Sequence, residues 1–344
     1  MELAKANSYV IFGGTGFIGT HLVRYLLDLG PKKRIFLADI KQPDLNKYPE
    51  IVKKAFNEGN VRYVEQDVRK SIDASKFPKN VDIIFNLAAV HREPGHETSE
   101  YFETNILGAE NVCAWADKID CKVIVFTSSI SPYGPTETPK TEESLPMPIT
   151  PYGSSKLAAE YIHKIWQKEN ATRKLLIVRP GVVFGPGEGG NVTRLIRSVI
   201  GRYFFYMGNK NKKKAGGYVK ELCHTIEWML SYMNKNDENY LVYNFSLNPP
   251  PTVEEYVSTI CKVAGIKRTI PSIPYPVLNI VARLITLCLK PFNISHPFSP
   301  VRIKKLVRSN FIIPNFLIEN GYNFHYSLET AFEDWKKEKP SDWR

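Results

Sequence analysis

Cysteine is scarce in this sequence, with five residues among 344 and no C-x-x-C pair. An odd number of scattered cysteines favours neither a disulfide framework nor a zinc site. We therefore expect reduced thiols in a cytoplasmic protein, and no metal site. The five residues are Cys113, Cys121, Cys223, Cys261 and Cys288.

Long apolar runs are also missing. The N-terminus, MELAKANSYVIFGG, has no long apolar region, so it does not resemble a signal peptide. The most apolar segment, 274–292, is too short between Pro276 and Pro291 to span a bilayer, and Arg283 interrupts it. A helix over 277–290 would carry one apolar face and a narrow polar stripe. It is either a core helix of a smaller lobe or a helix lying at a membrane interface.

An acidic excess is absent, and the formal net charge is +11. A basic excess suits nucleic acid, an anionic membrane surface or anionic small ligands. No nucleic-acid-binding motif is present, so we predict no nucleic-acid partner. The basic residues form either solvated faces or sites for a phosphorylated substrate or an anionic bilayer. Two clusters stand out, namely Lys210, Lys212, Lys213 and Lys214, and then Arg302, Lys304, Lys305 and Arg308.

Short apolar runs alternate with amphipathic helical patterns through the first half of the chain. Nearly continuous runs of Val, Ile and Phe are typical of strands buried on both faces of a parallel sheet. The pattern predicts an α/β fold with a Rossmann-like, doubly wound parallel sheet and a smaller C-terminal substrate-binding lobe. We place the first domain at 1–184, with a returning strand near 240–246, and the lobe mainly at 185–344. The runs are 8–13, 34–39, 61–67, 81–89, 121–129 and 174–181.

A glycine motif, GGTGFIG, follows the first run and opens a helix. Gly13 allows a tight turn, Gly16 lets the backbone approach a pyrophosphate, and Gly19 permits close helix–strand packing. Asp39 ends the second run, where a carboxylate accepts hydrogen bonds from a ribose 2′-hydroxyl and repels a 2′-phosphate. The motif therefore predicts NAD as cofactor, although Lys41 nearby leaves NADP as an alternative.

A second motif lies in TPYGSSKLAAEYIHKIW, residues 150–166, where Thr150 and Pro151 suit the N-cap and first position of a helix. Tyr152 and Lys156 are four residues apart and share one face of it. A cation beside a phenol lowers the phenol pKa, so the pair suits a general base. Ser129 ends the fifth strand run, at the sheet edge where ligands bind.

These motifs resemble the extended short-chain dehydrogenase/reductase family, and within it the NAD-dependent sugar epimerases and dehydratases. The resemblance implies that Asp67 and Val68 contact the adenine, that Leu87–Ala89 line the cofactor channel, and that Pro180 lies near the nicotinamide. It implies a supporting role for Asn105. Together, the expected cofactor residues are Gly13, Gly16, Phe17, Ile18, Gly19, Asp39, Asp67, Val68, Leu87, Ala88, Ala89, Asn105, Tyr152, Lys156 and Pro180.

The resemblance also implies the chemistry. Tyr152 as phenolate would remove a hydroxyl proton, Ser129 would bind the same oxygen, and Lys156 would lower the Tyr152 pKa and hold the nicotinamide ribose. Dehydratases of the family carry Asp-Glu after the catalytic Ser/Thr, whereas this chain has Ile130 and Ser131. Dehydration is therefore disfavoured, and 4-epimerisation through a transient ketone is expected. A net oxidoreductase acting on a sugar ketone or a hydroxysteroid is the alternative.

Within the family the chain is most similar to epimerases of bacterial surface-polysaccharide pathways that act on N-acetylglucosamine linked through diphosphate to undecaprenol. Enzymes acting on UDP-sugars share much of the pattern. The resemblance implies a homodimer and a cytoplasmic enzyme, with peripheral contact to the inner face of an anionic membrane. One departure is Lys220–Glu221, where relatives often have an acidic pair. The expected substrate residues are His91, Arg92, Ser129, Asn191 and Arg302.

Overall fold

A seven-stranded parallel sheet forms the centre of the computed structural model, which describes residues 2–91, 95–274, 276–278, 280 and 308–344. Its strand order is β11-β7-β5-β4-β1-β2-β3, and every pairing is parallel. This is the doubly wound arrangement that the sequence predicts. The strands are β1 (Ser8–Phe12), β2 (Arg34–Asp39), β3 (Val61–Glu65), β4 (Ile83–Asn86), β5 (Val123–Thr127), β7 (Lys174–Pro180) and β11 (Tyr240–Phe245).

Three two-stranded parallel pairs lie outside this sheet: β6 with β13, β8 with β10, and β9 with β12. They are β6 (Thr136–Lys140), β8 (Val182–Phe184), β9 (Tyr206–Met207), β10 (Gly216–Tyr218), β12 (Ser272–Ile273) and β13 (Asn310–Ile312). The helices are α1 (Phe17–Leu29), α2 (Glu50–Asn57), α3 (Thr98–Phe102), α4 (Gly108–Lys118), α5 (Pro151–Lys168), α6 (Asn191–Ile200), α7 (Val219–Lys235), α8 (Val253–Ala264), α9 (Asn315–Glu319) and α10 (Leu328–Glu338), with a π-helical turn at Glu103–Leu107.

The sheet is covered on both faces, which explains why its strands are nearly continuously apolar. On one face, α1, α2 and α7 bury Leu22, Val52 and Met229 against the sheet. On the other face, α4 and α5 bury residues such as Trp115 and Trp166. The middle strands β1, β4 and β5 are buried at every residue, whereas the edge strand β3 is partly exposed.

The strand ends differ slightly from the predicted runs, and the difference matters for the site. The predicted run 121–129 forms a strand only over Val123–Thr127, so Ser128 and Ser129 lie beyond its carboxyl end. The run at 240–246 does return to the sheet, as β11 beside β7. Ligands of open α/β sheets bind outside the carboxyl ends of the parallel strands. Ligand-binding side chains are therefore expected at the carboxyl edge of this sheet.

A third apolar cluster forms the smaller lobe, around Phe184, Ile196, Tyr256 and Trp335. Its helix α8 begins with a capping box between Thr252 and Glu255. The division of the chain into domains at 184/185 remains a prediction. The apolar face proposed for 277–290 lies mostly outside the described residues.

The last turn of the chain, Pro340–Trp343, packs on this lobe. Asp342 accepts hydrogen bonds from the Trp335 indole (2.9 Å) and from the Gly187 amide (2.9 Å). The C-terminal segment is thereby joined to the loop that precedes α6.

Among the described residues, no helix is both long enough and apolar enough to cross a membrane. The same residues contain no group of three or more His, Cys, Asp or Glu side chains arranged to hold a metal ion. Cys113, Cys121, Cys223 and Cys261 are unpaired thiols.

Candidate active site

The glycine loop connects β1 to α1 at the carboxyl edge of the sheet. Gly13 has a φ of +75°, and a Cβ there would lie 2.8 Å from the Ala88 amide nitrogen. Only glycine fits this position, because both the backbone conformation and the space exclude a side chain. The Gly13 amide donates to the Ala38 carbonyl (2.9 Å), which ties the loop to the end of β2.

Gly16 and Gly19 have different surroundings. A Cβ on Gly19 would lie 2.4 Å from the Gly14 carbonyl oxygen, so this glycine lets α1 pack closely on the loop. A Cβ on Gly16 would meet only the Gly13 oxygen, at 3.2 Å, so its other side is open. Gly16 is the N-cap of α1 and supplies no side-chain cap, and the first turn contains no acidic residue. The helix terminus, starting at Phe17 and Ile18, thus suits the pyrophosphate of a dinucleotide.

Asp39 lies at the end of β2, beside the glycine loop. Its carboxylate accepts hydrogen bonds from the Thr15 amide (3.2 Å) and the Lys41 amide (3.2 Å). The carboxylate is partly exposed, and the Lys41 side chain next to it is in solvent. This position fits the predicted contact with the ribose of NAD.

The expected adenine and channel residues follow β3 and β4 at the same edge. Asp67 forms a two-oxygen ion pair with Arg69 (2.7–3.0 Å), whose hydrogen bonds lower the Asp67 pKa. Val68 is buried against Gly108, where a Cβ would lie 2.9 Å from its Cγ2. Leu87–Ala89 are partly buried, and the Leu87 amide bonds to the Phe12 carbonyl (2.9 Å).

Asn105 lies in the π-helical turn before α4 and connects two parts of the site. Its amide oxygen accepts from the Val90 amide (3.1 Å), and its amide nitrogen donates to the Ser155 hydroxyl (2.8 Å). Ser155 in turn donates to the Tyr152 carbonyl (2.9 Å). Asn105 therefore joins the segment after β4 to the first turn of α5. The π-turn that carries it is a feature often found at functional sites.

Helix α5 begins as the sequence predicts. Thr150 is its N-cap and accepts from the Gly153 amide (3.1 Å), and Pro151 is its first residue. The turn after β5 packs against this end, since a Cβ on Gly153 would lie 2.7 Å from the Ser131 carbonyl oxygen. The structure thus brings the Ser129 turn beside the turn that carries Tyr152. The Tyr152 ring also lies 6.2 Å from the ring of Tyr101, in α3.

Lys156, one turn after Tyr152, is only 1% exposed. Its ammonium lies 4.4 Å from the centre of the Phe126 ring, in β5. Burial lowers the Lys156 pKa to about 7, and the negative charge of Glu160 opposes this shift. A buried amine with such a pKa is typical of a functional site.

The two residues after Ser129 are unable to act as an acid pair. Ile130 is buried with Tyr133, Ala215 and Ile312 in a small apolar cluster. Ser131 bonds back to Ser129, with its amide donating to the Ser129 hydroxyl (3.1 Å) and the two hydroxyls 3.1 Å apart. Positions 130 and 131, where the resemblance implies Asp-Glu for a dehydratase, therefore carry no carboxyl group.

The expected substrate residues are less well gathered. His91 is exposed after β4, and Asn191 is exposed at the start of α6, where its oxygen accepts from Arg194 (2.6 Å). Arg92 and Arg302 lie outside the described residues. Pro180, the last residue of β7, is buried, and its carbonyl accepts from the Ile130 amide (3.1 Å).

The first lysine cluster does not form a free basic patch. Lys210 pairs with Glu254 (2.6 Å), and Lys212 pairs with Glu137 (2.5 Å). Lys213 lies 3.7 Å from Glu255. Burial lowers the Lys214 pKa to about 8, and its ammonium donates to the Arg308 carbonyl (2.5 Å). Of the second cluster, only Arg308 is among the described residues.

The departure at Lys220–Glu221 has a structural explanation. Helix α7 begins at Val219, and Lys220 pairs with Asp334 and Glu338 of α10 (2.6 Å each). Glu221 is buried and accepts hydrogen bonds from the Tyr322 hydroxyl and from the amides of His325 (3.0 Å) and Tyr326 (2.7 Å). The two side chains hold the C-terminal segment against α7.

Sequence reasoning missed a buried ion pair behind the site, between Glu160 of α5 and Arg179 of β7 (2.6 Å). Ser128 donates to the same carboxylate (2.5 Å). A signal was present, because Tyr152, Lys156 and Glu160 recur every four residues on one helix face.

Residues 9–244 match the NAD dependent epimerase/dehydratase family. The chain belongs to this family. NAD is the cofactor of the family, as the glycine loop and Asp39 predict, and the resemblance stated from the motifs is confirmed.

Among curated relatives, the chain is 27% identical over 335 residues to N-acetyl-alpha-D-glucosaminyl-diphospho-ditrans,octacis-undecaprenol 4-epimerase of Escherichia coli O157:H7, covering 95% of this chain and 93% of that one. It is 26% identical to 3beta-hydroxysteroid-dehydrogenase/decarboxylase isoform 1 of Arabidopsis thaliana, covering 89% of this chain and 73% of that one.

Among solved structures, the fold is similar to UDP-glucuronic acid 4-epimerase from Bacillus cereus in complex with UDP-glucuronic acid and NAD. The TM-score is 0.73 at 20% identity, over 96% of this chain and 99% of that one. The UDP-N-acetylglucosamine 4-epimerase from Methanobrevibacter ruminantium M1 has a TM-score of 0.72 at 21% identity, over 98% of each chain. These neighbours confirm the predicted fold class.

Proposed function

We propose that this protein is an NAD-dependent sugar 4-epimerase, an isomerase that acts on a diphosphate-linked hexose. The observation that carries the proposal is the packing of the Ser129 turn against the start of α5. This helix bears Tyr152 in its first turn and the buried Lys156 one turn later. The glycine loop opens at the same sheet edge, and Ile130 and Ser131 replace the acids that dehydration needs.

The side chains would divide the acid–base work among them. Tyr152 as phenolate accepts the proton of the sugar C4 hydroxyl, and Ser129 hydrogen-bonds to that oxygen. The Lys156 ammonium lowers the Tyr152 pKa and holds the nicotinamide ribose. Gly13, Gly16 and Asp39 orient the dinucleotide.

Bound NAD would supply the reversible oxidation at C4. Once the 4-keto sugar has rotated in the pocket, the same hydride would return to the opposite face of C4, and Tyr152 would give its proton back to the carbonyl oxygen. Epimerisation therefore needs no further acid from this chain, which agrees with the apolar environment of Ile130.

For the carrier, we favour a polyprenyl diphosphate over UDP, which would assign the enzyme to bacterial surface-polysaccharide assembly, such as O-antigen or capsule, at the cytoplasmic face of the membrane. The relative named for an undecaprenol-linked sugar is similar over 95% of the chain. An apolar rim also precedes Tyr152: Leu145, Met147 and Ile149 alternate along a segment that is neither helix nor strand and are 65–80% exposed. Such a rim suits a lipid carrier or a bilayer surface.

We also propose a homodimer. Tyr161 and Ile165 of α5 are 58% and 60% exposed, and Leu107, the last residue of the π-helical turn before α4, is 42% exposed. Exposed large apolar side chains on neighbouring helices are typical of a protein–protein interface.

The test of function supplies polyprenyl-diphosphate-GlcNAc, UDP-GlcNAc and UDP-glucose separately and analyses the released sugars. We expect a C4-inverted sugar from the lipid-linked substrate, with no added NADH and no net change in NADH absorbance. Conversion of a UDP-sugar alone would retain the epimerase and reject the lipid carrier.

The second candidate is a net NAD(P)-dependent oxidoreductase, and the similarity to a hydroxysteroid dehydrogenase/decarboxylase supports it. The same assay separates the two, because a net oxidoreductase consumes added cofactor in proportion to product. Stoichiometric NADH formation would reject the epimerase.

A further inference from the structure

Glu160 has a fully occupied carboxylate in the protein interior. It lies four residues after Lys156 and eight after Tyr152 on α5, and it is buried. One oxygen accepts from the Ser128 hydroxyl (2.5 Å) and from Arg179 Nε (2.9 Å). The other accepts from Arg179 Nη2 (2.6 Å). This two-point contact fixes both side chains.

Each partner of Glu160 adjoins a residue of the proposed active site. Ser128 precedes Ser129, and Arg179 precedes Pro180. The pair therefore joins the ends of β5 and β7 to the helix that carries the catalytic side chains.

The network continues to the far side of Ser129. Arg179 donates to the Tyr133 hydroxyl (2.7 Å), which donates to the side-chain oxygen of Asn244 (2.9 Å), in β11. Tyr133 closes the turn that starts at Ser129, so this turn is held at both ends.

Glu160 is also the acidic group whose charge acts on Lys156 among the described residues. From the same helix, His163 is buried and stacked on Phe126 (4.1 Å), and burial lowers its pKa to about 4, so it is neutral. From β4 and β5, the facing side chains are Asn86 and Phe126, which do not titrate. From β7, Arg179 is the facing cation, and it is paired with Glu160.

A contribution to folding stability does not by itself explain the buried Glu160–Arg179 ion pair. Desolvating two charges often costs as much as their attraction returns, so apolar replacements of a buried pair are frequently neutral or stabilising. A buried pair that adjoins Ser129, Lys156 and Pro180 has a functional explanation instead.

We propose that Glu160 is a positioning residue of the active site: held by Arg179 and Ser128, its carboxylate places a negative charge one helical turn from Lys156 and holds the Ser129 turn against α5. This inference rests on the proposed function for the roles of Ser129, Tyr152 and Lys156. Without the carboxylate, Lys156 loses its proton at lower pH, and Tyr152 then keeps its own proton to higher pH.

The first variant is Glu160→Gln, which keeps the shape and the acceptor for Ser128. We expect kcat to fall by about 100-fold. The alkaline limb of the kcat profile should move to lower pH by about one unit or more, because the ammonium is lost earlier.

The second variant, Glu160→Gln with Arg179→Met, leaves no unpaired buried cation. It should unfold at a temperature close to that of the unmodified protein, yet keep part of the shift of the alkaline limb, because loss of the Arg179 cation offsets some of the lost negative charge. The control is Glu169→Gln, which removes an exposed carboxylate near Arg173 at the end of the same helix and should change neither quantity.

A substrate-free measurement separates this inference from the proposed function. Phenolate absorbance is followed during pH titration of the NAD-bound protein, and the titration of the Tyr152→Phe form is subtracted. Glu160→Gln should raise the titration midpoint of Tyr152 whatever sugar the enzyme uses. An unmoved midpoint and an unmoved alkaline limb, with only a lower melting temperature, would reduce Glu160 to a structural residue and overturn the proposal.

Discussion

Lys156 is a residue whose burial opposes its charge. The side chain is almost fully enclosed, and its pKa falls to about 7 because water is excluded. Keeping a charged amine in this position makes the folded state less stable, because the ammonium is removed from water. Active sites commonly retain such groups, in agreement with the role proposed for Lys156.

Replacing Lys156 by methionine should therefore stabilise the cofactor-free protein while abolishing turnover. We expect a gain on the order of 1–4 kcal/mol at pH 6, measured by denaturant unfolding. The cost of the buried amine is complete below its folded pKa of about 7 and vanishes above its unfolded value of about 10.4, so the gain should shrink as pH rises between them. A variant less stable than the unmodified protein at pH 6 would contradict this account.

Tyr152 is the residue to which the proposed mechanism assigns the role of general base. Tyr152→Phe keeps the ring beside Tyr101 and the Ser155 bond to the backbone carbonyl, so the fold should persist. We expect turnover to fall by about 10²–10⁴-fold, the usual contribution of a general base. NAD retention after gel filtration is the control, and near-normal turnover would remove Tyr152 as the base.

At the scale of an element, the glycine loop shows how one motif combines two requirements. Gly19 permits backbone packing within the protein, whereas Gly16 leaves space on the side where a pyrophosphate would approach. Close backbone packing, at Gly19, and space for a ligand, at Gly16, are separate physical requirements. Substitutions at the two glycines therefore test them separately.

Gly19→Ala should lose both stability and NAD binding, because its Cβ would clash with the Gly14 backbone. We expect a loss of about 1–3 kcal/mol of unfolding free energy. Gly16→Ala is the matched variant: it should fold with little loss but bind NAD more weakly, as measured by titration calorimetry. Equal stability losses in both variants would contradict the assignment.

Such elements were predictable from sequence because their signals are local. Six apolar runs and the returning strand predicted near 240–246 identified the strands of the main sheet, and Thr150 and Pro151 identified the start of α5. The Glu160–Arg179 pair was not predicted. Its partners are 19 residues apart in the sequence, and they come into contact only when α5 packs on β7. The lysines at 210–214 suggested a basic patch, but their acidic partners come from distant segments.

At the scale of the whole molecule, the exposed apolar side chains of Leu107, Tyr161 and Ile165 bear on assembly. A charge introduced there would oppose burial between two copies, since charged residues are depleted at interface cores.

Ile165→Glu should therefore shift the protein from dimer to monomer in light scattering during gel filtration. Tyr203→Glu is the control, because Tyr203 is equally exposed but lies in the smaller lobe. If the unmodified protein is already a monomer, or if both variants dissociate, this face is not the dimer interface.

The Asp342 contact with Gly187 joins the final turn of the chain to the loop before α6, where Asn191 begins the helix. Any ligand that orders this loop must also favour the docked tail, and a docked tail must favour that ligand by the same free energy. A sugar whose binding orders this loop would thus be sensed at the final turn of the chain, which packs on the smaller lobe's aromatic core.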